Sequence, residues 1–570
     1  MTDAPRRRLR FLGTLLIGLL FVIVVQLFQV QVVNHKTYAD QGRKNRTQVI
    51  RLPDPPRGVI RDRNGTVLAG NGVTYSIEAS PSVLTGTIRS TAVMSLSELL
   101  HVPAARVEQI LERNPAWVVV ERSVSRELAE QAVALGIWGV DVRSSWVRDY
   151  PQGSLGSHLL GFCNLERGFY GVEGFYNEEL RPEIVTETMV VDSYREQVPW
   201  AAVPVTLPHR GSDLVLSVDL TVQAIVEAEL AYSLAEYEAD SGTIIVMDPR
   251  TFEVLAMASS PNYDPGRYPA YYSQSPLPFS DPAVSQQYEP GSVFKILTVA
   301  AALDAGIATP DTTYTDQGWI EVGGQVIQNA TREAYGEQTV TDLLVKSLNV
   351  GSAWLSTQMA PDTFYRYVQA FGIGRPTGID VAGEVGGQLW LPGDLEHYHD
   401  SNLGTNSFGQ GLAVTPIQMA VAAATVANDG VRLRPRVVSQ VIAADGTVSL
   451  SQSVMEAQPI SSETARIVTN MMVRVIEDGV PQARVPGYRF AGKTGTAQVY
   501  VPGGYDRDAT IASFVGFGPV PDPRMVILVK LDNPKTSPWG SQTAARSFQR
   551  LATRLCVVLN IPPSLTEADQ

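Results

Sequence analysis

Glu289-Pro290-Gly291-Ser292-Val293-Phe294-Lys295-Ile296-Leu297-Thr298-Val299-Ala300-Ala301-Ala302-Leu303 is the stretch around which the rest of the chain organises itself. Pro290 and Gly291 close a loop, and the Ala/Leu-rich run predicts a buried helix that stops at Gly306. Ser292 then sits in the first turn, with Lys295 one turn later on the same face. A serine hydroxyl is a weak nucleophile until a neighbouring base takes its proton. A lysine serves as that base only when its amine is neutral, and burial and the positive end of a helix both favour the neutral form. The pattern S-x-x-K occurs once among seven lysines. Alone, it equally describes an N-capping serine beside a solvated lysine.

Two further stretches lie downstream. Ser347-Leu348-Asn349 follows a helix-like Thr341–Lys346 and offers a second hydroxyl and an amide, suited to relaying a proton and holding a substrate amide. Ser260-Pro261-Asn262 has the same spelling but runs into a Tyr263-Asp264-Pro265 turn and reads as loop. Lys493-Thr494-Gly495-Thr496 leads into Ala497-Gln498-Val499-Tyr500-Val501, a strand pattern. A strand edge can pair with an extended peptide, two threonine hydroxyls beside a lysine suit a carboxylate, and Gly495 permits close approach to the backbone. Gly487–Thr494 also spells a P-loop, but that motif needs a strand before it and a helix opening at the lysine; here Pro486 precedes and a strand follows.

Working outward, helical blocks are expected at 292–305, 339–346, 415–428 and 461–478, with strands near 491–500, 511–517 and 525–531. Ser212–Asp219 alternates as a strand, Leu220–Asp240 reads as helix, and Gly242–Asp248 is β-rich. Helices around an antiparallel sheet make the fold class α+β. Toward the N-terminus, residues 91–140 read as mostly helical, and Asn64-Gly65 between Val59-Ile60 and Val67-Leu68 predicts a hairpin with a type I′ turn. The texture changes near Val203–His209, where the main boundary is drawn, and Ser564–Gln570 reads as a polar tail.

Arg6, Arg7, Arg8 and Arg10 precede a charge-free stretch from Phe11 to His35. Its length suits one membrane crossing, and the arginines place the N-terminus in the cytoplasm and the bulk of the chain outside. The run exceeds a signal-peptide core and no A-x-A-like site follows, so a retained anchor is expected.

The 570 residues call for more than one domain. A net charge of −13 excludes a nucleic-acid binder, which needs a basic surface. Cys163 and Cys556 form neither a metal motif nor a disulfide framework and read as buried free thiols. Glu396-His397-Tyr398-His399-Asp400 lies in a polar stretch and reads as a solvated loop rather than a metal site. No G-x-S-x-G or H-E-x-x-H occurs, and the six histidines suggest no triad, so a serine enzyme here would use lysine.

The order Ser292-x-x-Lys295, Ser347-x-Asn349, Lys493-Thr494-Gly495 resembles the serine acyltransferases that react with penicillin. Arg57-Gly58-Val59-Ile60-Arg61-Asp62-Arg63-Asn64-Gly65, Arg148-Asp149-Tyr150-Pro151, Ser157-His158-Leu159-Leu160-Gly161 and Gly171-Val172-Glu173-Gly174 look like the motifs of class B penicillin-binding proteins. Phe408-Gly409-Gln410-Gly411 and Thr415-Pro416-Ile417-Gln418 extend the likeness, which runs to about residue 545. No glycosyltransferase sequence of the class A kind is found. Arg181–Glu187 departs from the glycine-containing hairpin the family often shows there.

This resemblance implies a cytoplasmic tail at 1–10, a transmembrane helix at 11–33, a pedestal or dimerisation-type domain at 34–205 and a transpeptidase domain at 206–570. It implies a peptidoglycan D,D-transpeptidase acting on D-Ala-D-Ala stem peptides, with Ser292 as nucleophile, Lys295 as base, Ser347 as relay and Asn349 holding the donor peptide. Lys493, Thr494 and Thr496 would bind the terminal carboxylate, and the N–H groups of Ser292 and Thr496 would form the oxyanion hole. β-Lactams would acylate the same serine, with no metal or cofactor. A membrane glycosyltransferase and other wall-synthesis proteins are the expected partners, and division is favoured over elongation. The rival readings are a β-lactamase or D,D-carboxypeptidase of the same fold, or a non-catalytic penicillin-binding sensor or scaffold.

Overall fold

A computed structural model describes residues 4–51, 55–164, 167–183, 186–190, 209–274, 278–501 and 504–564. The chain forms two compact units, Met1–Pro56 with Pro182–Arg210, and Arg57–Arg181 with Gly211–Gln570. Most of Val203–His209, Ile184 and Val185, and the tail after Ser564 lie outside the described residues.

In the smaller unit, helix Ala4–Phe28 continues through a π-helical turn at Gln29–Val33. Arg7–Val33 is long and apolar enough to cross a membrane. Helix His35–Arg46 follows, and strand Thr47–Arg51 pairs antiparallel with Thr186–Val190.

The larger unit is built on a five-stranded antiparallel sheet. Its strands are β1 (Ser241–Met247), β2 (Val254–Ser260), β3 (Ala491–Val501), β4 (Gly504–Gly518) and β5 (Met525–Asp532), in the spatial order β2-β1-β5-β4-β3. β1 and β5 are buried along almost their whole length, as their unbroken Val/Ile/Leu runs require. Helices α1 (Leu220–Tyr237), α2 (Lys295–Asp304), α3 (Val340–Lys346), α4 (Asn349–Met359), α5 (Pro416–Ala427), α6 (Ser462–Arg474) and α7 (Ala544–Val558) surround it. Polar caps set their starts: Asp219 accepts the N–H groups of Thr221 and Val222, and Thr339 forms a capping box with Asp342. Thr415 and Gln418 form another, and the buried Gln418 amide also donates to the carbonyls of Arg375 and Gly386. The expected α+β class and antiparallel sheet are both present.

A second sheet runs from Val438–Ile442 through Asp213–Leu216 and Ile60–Arg61 to Val67–Ala79, which pairs with Val118–Val124 and Val140–Asp149. Helices Gly86–Leu100, Ala104–Leu111 and Arg126–Ala134 pack on its distal part around Ile77, Leu96, Val107 and Val120. Residues 91–140 are mostly helical, as expected, but strands also enter the stretch. The β-branched run Val118-Val119-Val120 begins a strand there, and a second starts at Val140.

The hairpin at Asn64-Gly65 forms, but not through a type I′ turn. Gly65 has φ +89°, whereas Asn64 is absent from the left-handed region. The Asp62 carboxylate accepts the N–H groups of Asn64 and Thr66 at 2.9 and 2.7 Å, which pulls the turn around its own side chain. Both cysteines are unpaired; Cys556 is buried, while Cys163 is only half-buried at the end of the two-residue strand Phe162–Cys163.

The N-terminal motifs meet at Glu173. Its fully buried carboxylate accepts from Arg57 Nε at 2.9 Å and Arg148 Nε at 2.6 Å, with the Tyr150 hydroxyl at 3.4 Å. Arg148 also donates to the carbonyl of Gly58. Three stretches far apart in sequence are thereby tied to one anion.

Candidate active site

Ser292 lies in a 3₁₀ turn, Gly291–Phe294, that runs straight into α2. In 3₁₀ geometry residues three apart eclipse, so Ser292 and Lys295 share a face. The Ser292 side chain is half-exposed and makes no hydrogen bond among the described residues. The turn rests on two neighbours. Gly291 N–H donates to the carbonyl of Gly409 at 3.0 Å, and a β-carbon at Gly409 (φ +77°) would fall 2.4 Å from the Gly291 oxygen. On the other side, a β-carbon at Gly495 would meet Ser513 Oγ at 2.3 Å and the Pro290 carbonyl at 2.9 Å. Packing of the Ser292 turn against β3 therefore requires glycine at 495 before any substrate is considered.

Lys295 is completely buried. Its Nζ donates to the Ser347 carbonyl at 2.6 Å and Asn349 Oδ1 at 2.8 Å, and lies 3.4 Å from Ser347 Oγ. Burial first, and then the nearby Lys493, hold its pKa well below the ordinary lysine value. Ser347 caps α3 in the left-handed region, at φ +58°, which turns its side chain and carbonyl together toward the lysines. Asn349 opens α4 and donates through Nδ2 to the carbonyl of Gln328.

Lys493, also fully buried, donates to Ser347 Oγ at 2.9 Å and lies 3.3 Å from the Thr494 carbonyl. Burial pushes its pKa down to about 7. Thr494 and Thr496, two apart on β3, share one half-exposed face, and Thr496 Oγ1 accepts from Gly540 N–H at 3.1 Å. Among the described residues β3 pairs as a strand with β4 alone, so its other edge is available to an extended chain. Lys493 and Thr494 lie inside a strand, which removes the P-loop reading. His397 stacks on Trp390 at 4.3 Å and contacts Asp394.

The fold thus brings Lys295, Ser347, Asn349 and Lys493 into one hydrogen-bonded group, with Ser292 one turn from Lys295 and packed against β3. Glu289 is an addition that sequence reading passed over. Its Oε1 accepts from Gly411 N–H at 2.9 Å and from the Tyr505 hydroxyl at 3.1 Å, joining the loop before Ser292 to the 408–411 loop and to β4. Paired glycines at 409 and 411 were the visible signal, but nothing local linked them to Glu289.

Comparison with known proteins agrees with this geometry. The penicillin binding protein transpeptidase domain matches residues 242–553, and the penicillin-binding protein dimerisation domain matches residues 53–216. Stage V sporulation protein D of Bacillus subtilis is 34% identical over 94% of this chain and 84% of its own. The probable peptidoglycan D,D-transpeptidase PenA of Neisseria meningitidis is 30% identical over 96% of this chain and 92% of its own. Among solved structures, penicillin-binding protein 3 of Mycobacterium tuberculosis complexed with aztreonam superposes with a TM-score of 0.70 at 26% identity, over 91% of this chain and 98% of that one. The chain belongs to the class B penicillin-binding proteins, in which a dimerisation domain precedes a transpeptidase domain.

Proposed function

We propose that the chain is a peptidoglycan D,D-transpeptidase that works through an acyl-enzyme on Ser292. The observation that carries this reading is the convergence of the Lys295 and Lys493 amines on the Ser347 hydroxyl beside the Ser292 turn. A neutral amine has two N–H bonds and one lone pair. The two short contacts of Lys295, to the Ser347 carbonyl and Asn349 Oδ1, use two donors and leave a lone pair for the Ser292 proton.

Ser292 Oγ attacks the carbonyl of the penultimate D-Ala while its proton passes to Lys295. The tetrahedral oxyanion is held by the N–H groups of Ser292 and Thr496, where one lost donor typically costs ~10²–10³ in rate. The C–N bond breaks, and the leaving D-Ala amine takes its proton through Lys295 and Ser347. An amine from a second strand then attacks the ester carbonyl and gives a proton to Lys295, and the C–O bond breaks as the departing Ser292 oxygen takes that proton back. Asn349 holds the donor peptide, and Lys493, Thr494, Gly495 and Thr496 hold its terminal carboxylate along the edge of β3. β-Lactams acylate the same oxygen.

Fluorescent penicillin labels the wild type, and Ser292→Ala abolishes labelling; labelling that persists in the variant removes Ser292 from this role. Transfer to an added amine, rather than hydrolysis, separates the transpeptidase from a β-lactamase or D,D-carboxypeptidase.

The apolar helix supports a single-pass anchor in the cytoplasmic membrane, N-terminus inside and catalytic domain outside. Protease added to wall-stripped cells digests the bulk of such a chain, and full protection overturns the topology. A role in division, beside a membrane glycosyltransferase, predicts septal accumulation of a labelled fusion; uniform lateral labelling overturns it.

A further inference from the structure

Between Ser292 and Ser347 the chain folds out into two small hairpins. Thr313–Asp316 pairs with Gly336–Thr339, and Trp319–Val322 pairs with Gln325–Gln328. Where they meet, two polar side chains are buried together: Asp316 is 0% exposed and Asn329 3% exposed. Asn329 Nδ2 donates to both Asp316 oxygens at 2.9 Å, and its Oδ1 accepts the N–H of Val350 at 3.1 Å. Asp316 Oδ1 also accepts Gly318 N–H at 2.8 Å.

A carboxylate only accepts hydrogen bonds, so Asp316 dictates which way the Asn329 amide points. The amine end must face Asp316, and the oxygen must face Val350, in the first turn of α4. The preceding residue, Gln328, presents its carbonyl to Asn349 Nδ2 at 3.1 Å. That bond in turn leaves Asn349 Oδ1 facing Lys295 Nζ at 2.8 Å. A buried carboxylate is expensive unless its lone pairs are met, and here they are met by the Gly318 N–H and by Asn329, whose own amide leads on to the active site.

We propose that Asp316 and Asn329 are positioning residues that fix the Gln328 carbonyl and the Val350 N–H, and through them the orientation of Asn349 against Lys295. The inference rests on the transpeptidase reading and adds to it the part of the chain that sets the donor-side amide. Lys493, on the strand packed beside it, is the charged group that faces Lys295, while Ser347 and Asn349 contribute neutral acceptors.

The test uses the whole chain with fluorescent penicillin, reading the second-order acylation constant per folded molecule against pH, with the melting temperature alongside. Wild type that labels and Ser292→Ala that does not uphold the underlying reading before any variant is compared. Asp316→Asn sets two amides face to face, and Asn329→Asp sets two carboxylates. Each is expected to lower acylation ~10–100-fold, the scale of a small misplacement at a reacting centre. Asp316→Asn also moves the Lys295 limb of the profile to lower pH, because a loosened Asn349 no longer favours the charged amine. The exchange Asp316→Asn/Asn329→Asp keeps both the charge and the Val350 contact, and restores rate and limb to within a few-fold. Singles that acylate at the wild-type rate with an unmoved limb overturn the proposal. So does an exchanged variant that folds but acylates no faster than the slower single. If neither single folds, the exchange decides alone by the same rate and limb.

Discussion

The amines of Lys295 and Lys493, one on a helix and one on a strand, reach the same oxygen, the hydroxyl of Ser347, at 3.4 and 2.9 Å. Both are buried, and two ammonium groups around one neutral oxygen repel each other with little water to screen them. Burial and this neighbour keep Lys295 well below the ordinary lysine value, and burial alone brings Lys493 to about 7. Near neutrality the pair gives up a proton, which is the state a general base requires.

The pH dependence of acylation follows from those directions. The rate rises with pH as Lys295 becomes neutral, far below the pH at which a solvated lysine titrates. With a carboxylate-bearing β-lactam it falls again above about 7, as Lys493 loses the charge that holds the carboxylate. Lys493→Arg stays charged, so its descending limb disappears. Lys493→Met removes a like charge, so the Lys295 limb moves to higher pH. Stopped-flow acylation from pH 5 to 10 reads both limbs, and a descending limb retained in Lys493→Arg assigns it elsewhere.

Stability reports the same lysine with a defined sign. The folded pKa of Lys493, about 7, lies below its ordinary value of 10.5, so between those values the unfolded chain binds more protons and stability rises with pH. The penalty is complete below pH 7, on the order of 5 kcal/mol as a ceiling, and fades toward 10.5. Lys493→Met escapes it and loses the bond to Ser347 and the longer contacts to Thr494. Its unfolding midpoint is therefore expected to exceed the wild type by a wide margin at pH 6 and by little at pH 10. A margin that stays constant or widens with pH contradicts the burial argument.

What could be read from the sequence was local. Ser292 and Lys295 are one turn apart, the Ala/Leu run declares its helix, and the β-branched residues after Gly495 declare β3. What escaped was non-local. Asp316 serves Asn329 across a pair of hairpins, Glu289 serves Gly411, and Glu173 collects arginines from two other stretches. No spacing rule encodes such pairings, because each partner's own neighbours look like ordinary loop. The turn at Asn64-Gly65 failed for a related reason, since Asp62 supplied acceptors that outweighed the dipeptide's preference for the primed turn.

The left-handed backbone at Ser347 separates geometry from chemistry. A residue with a β-carbon at φ +58° is strained by ~1 kcal/mol relative to glycine, and this position closes a helix, where glycine is favoured. Ser347→Gly and Ser347→Ala both remove the shared hydroxyl, so both lose ~10²–10⁴ in acylation rate. Their stabilities differ, with Gly above Ala by about 1 kcal/mol in denaturant unfolding. Equal stabilities show that the strain is absent, and a large difference in rate shows that the hydroxyl is not what the site loses.

Glu173 offers the opposite case, a buried charge remote from the chemistry. Its carboxylate sits between Arg57 and Arg148, all three almost wholly shielded from water. Glu173→Ala strands two guanidinium groups and is expected to cost about 3–5 kcal/mol. None of its partners touches Ser292, Lys295, Ser347 or Lys493, so molecules that remain folded acylate at the wild-type rate. Titration with fluorescent penicillin counts folded molecules, and the time course gives the rate of each. A lower count at unchanged rate is the expected result, whereas a fall in the rate itself couples this cluster to the catalytic group. Replacing all three residues with apolar side chains of similar volume recovers part of the stability, because the cost lies in the uncompensated charge rather than in the lost contacts. Arg57 and Arg148 then serve folding rather than the acylation step.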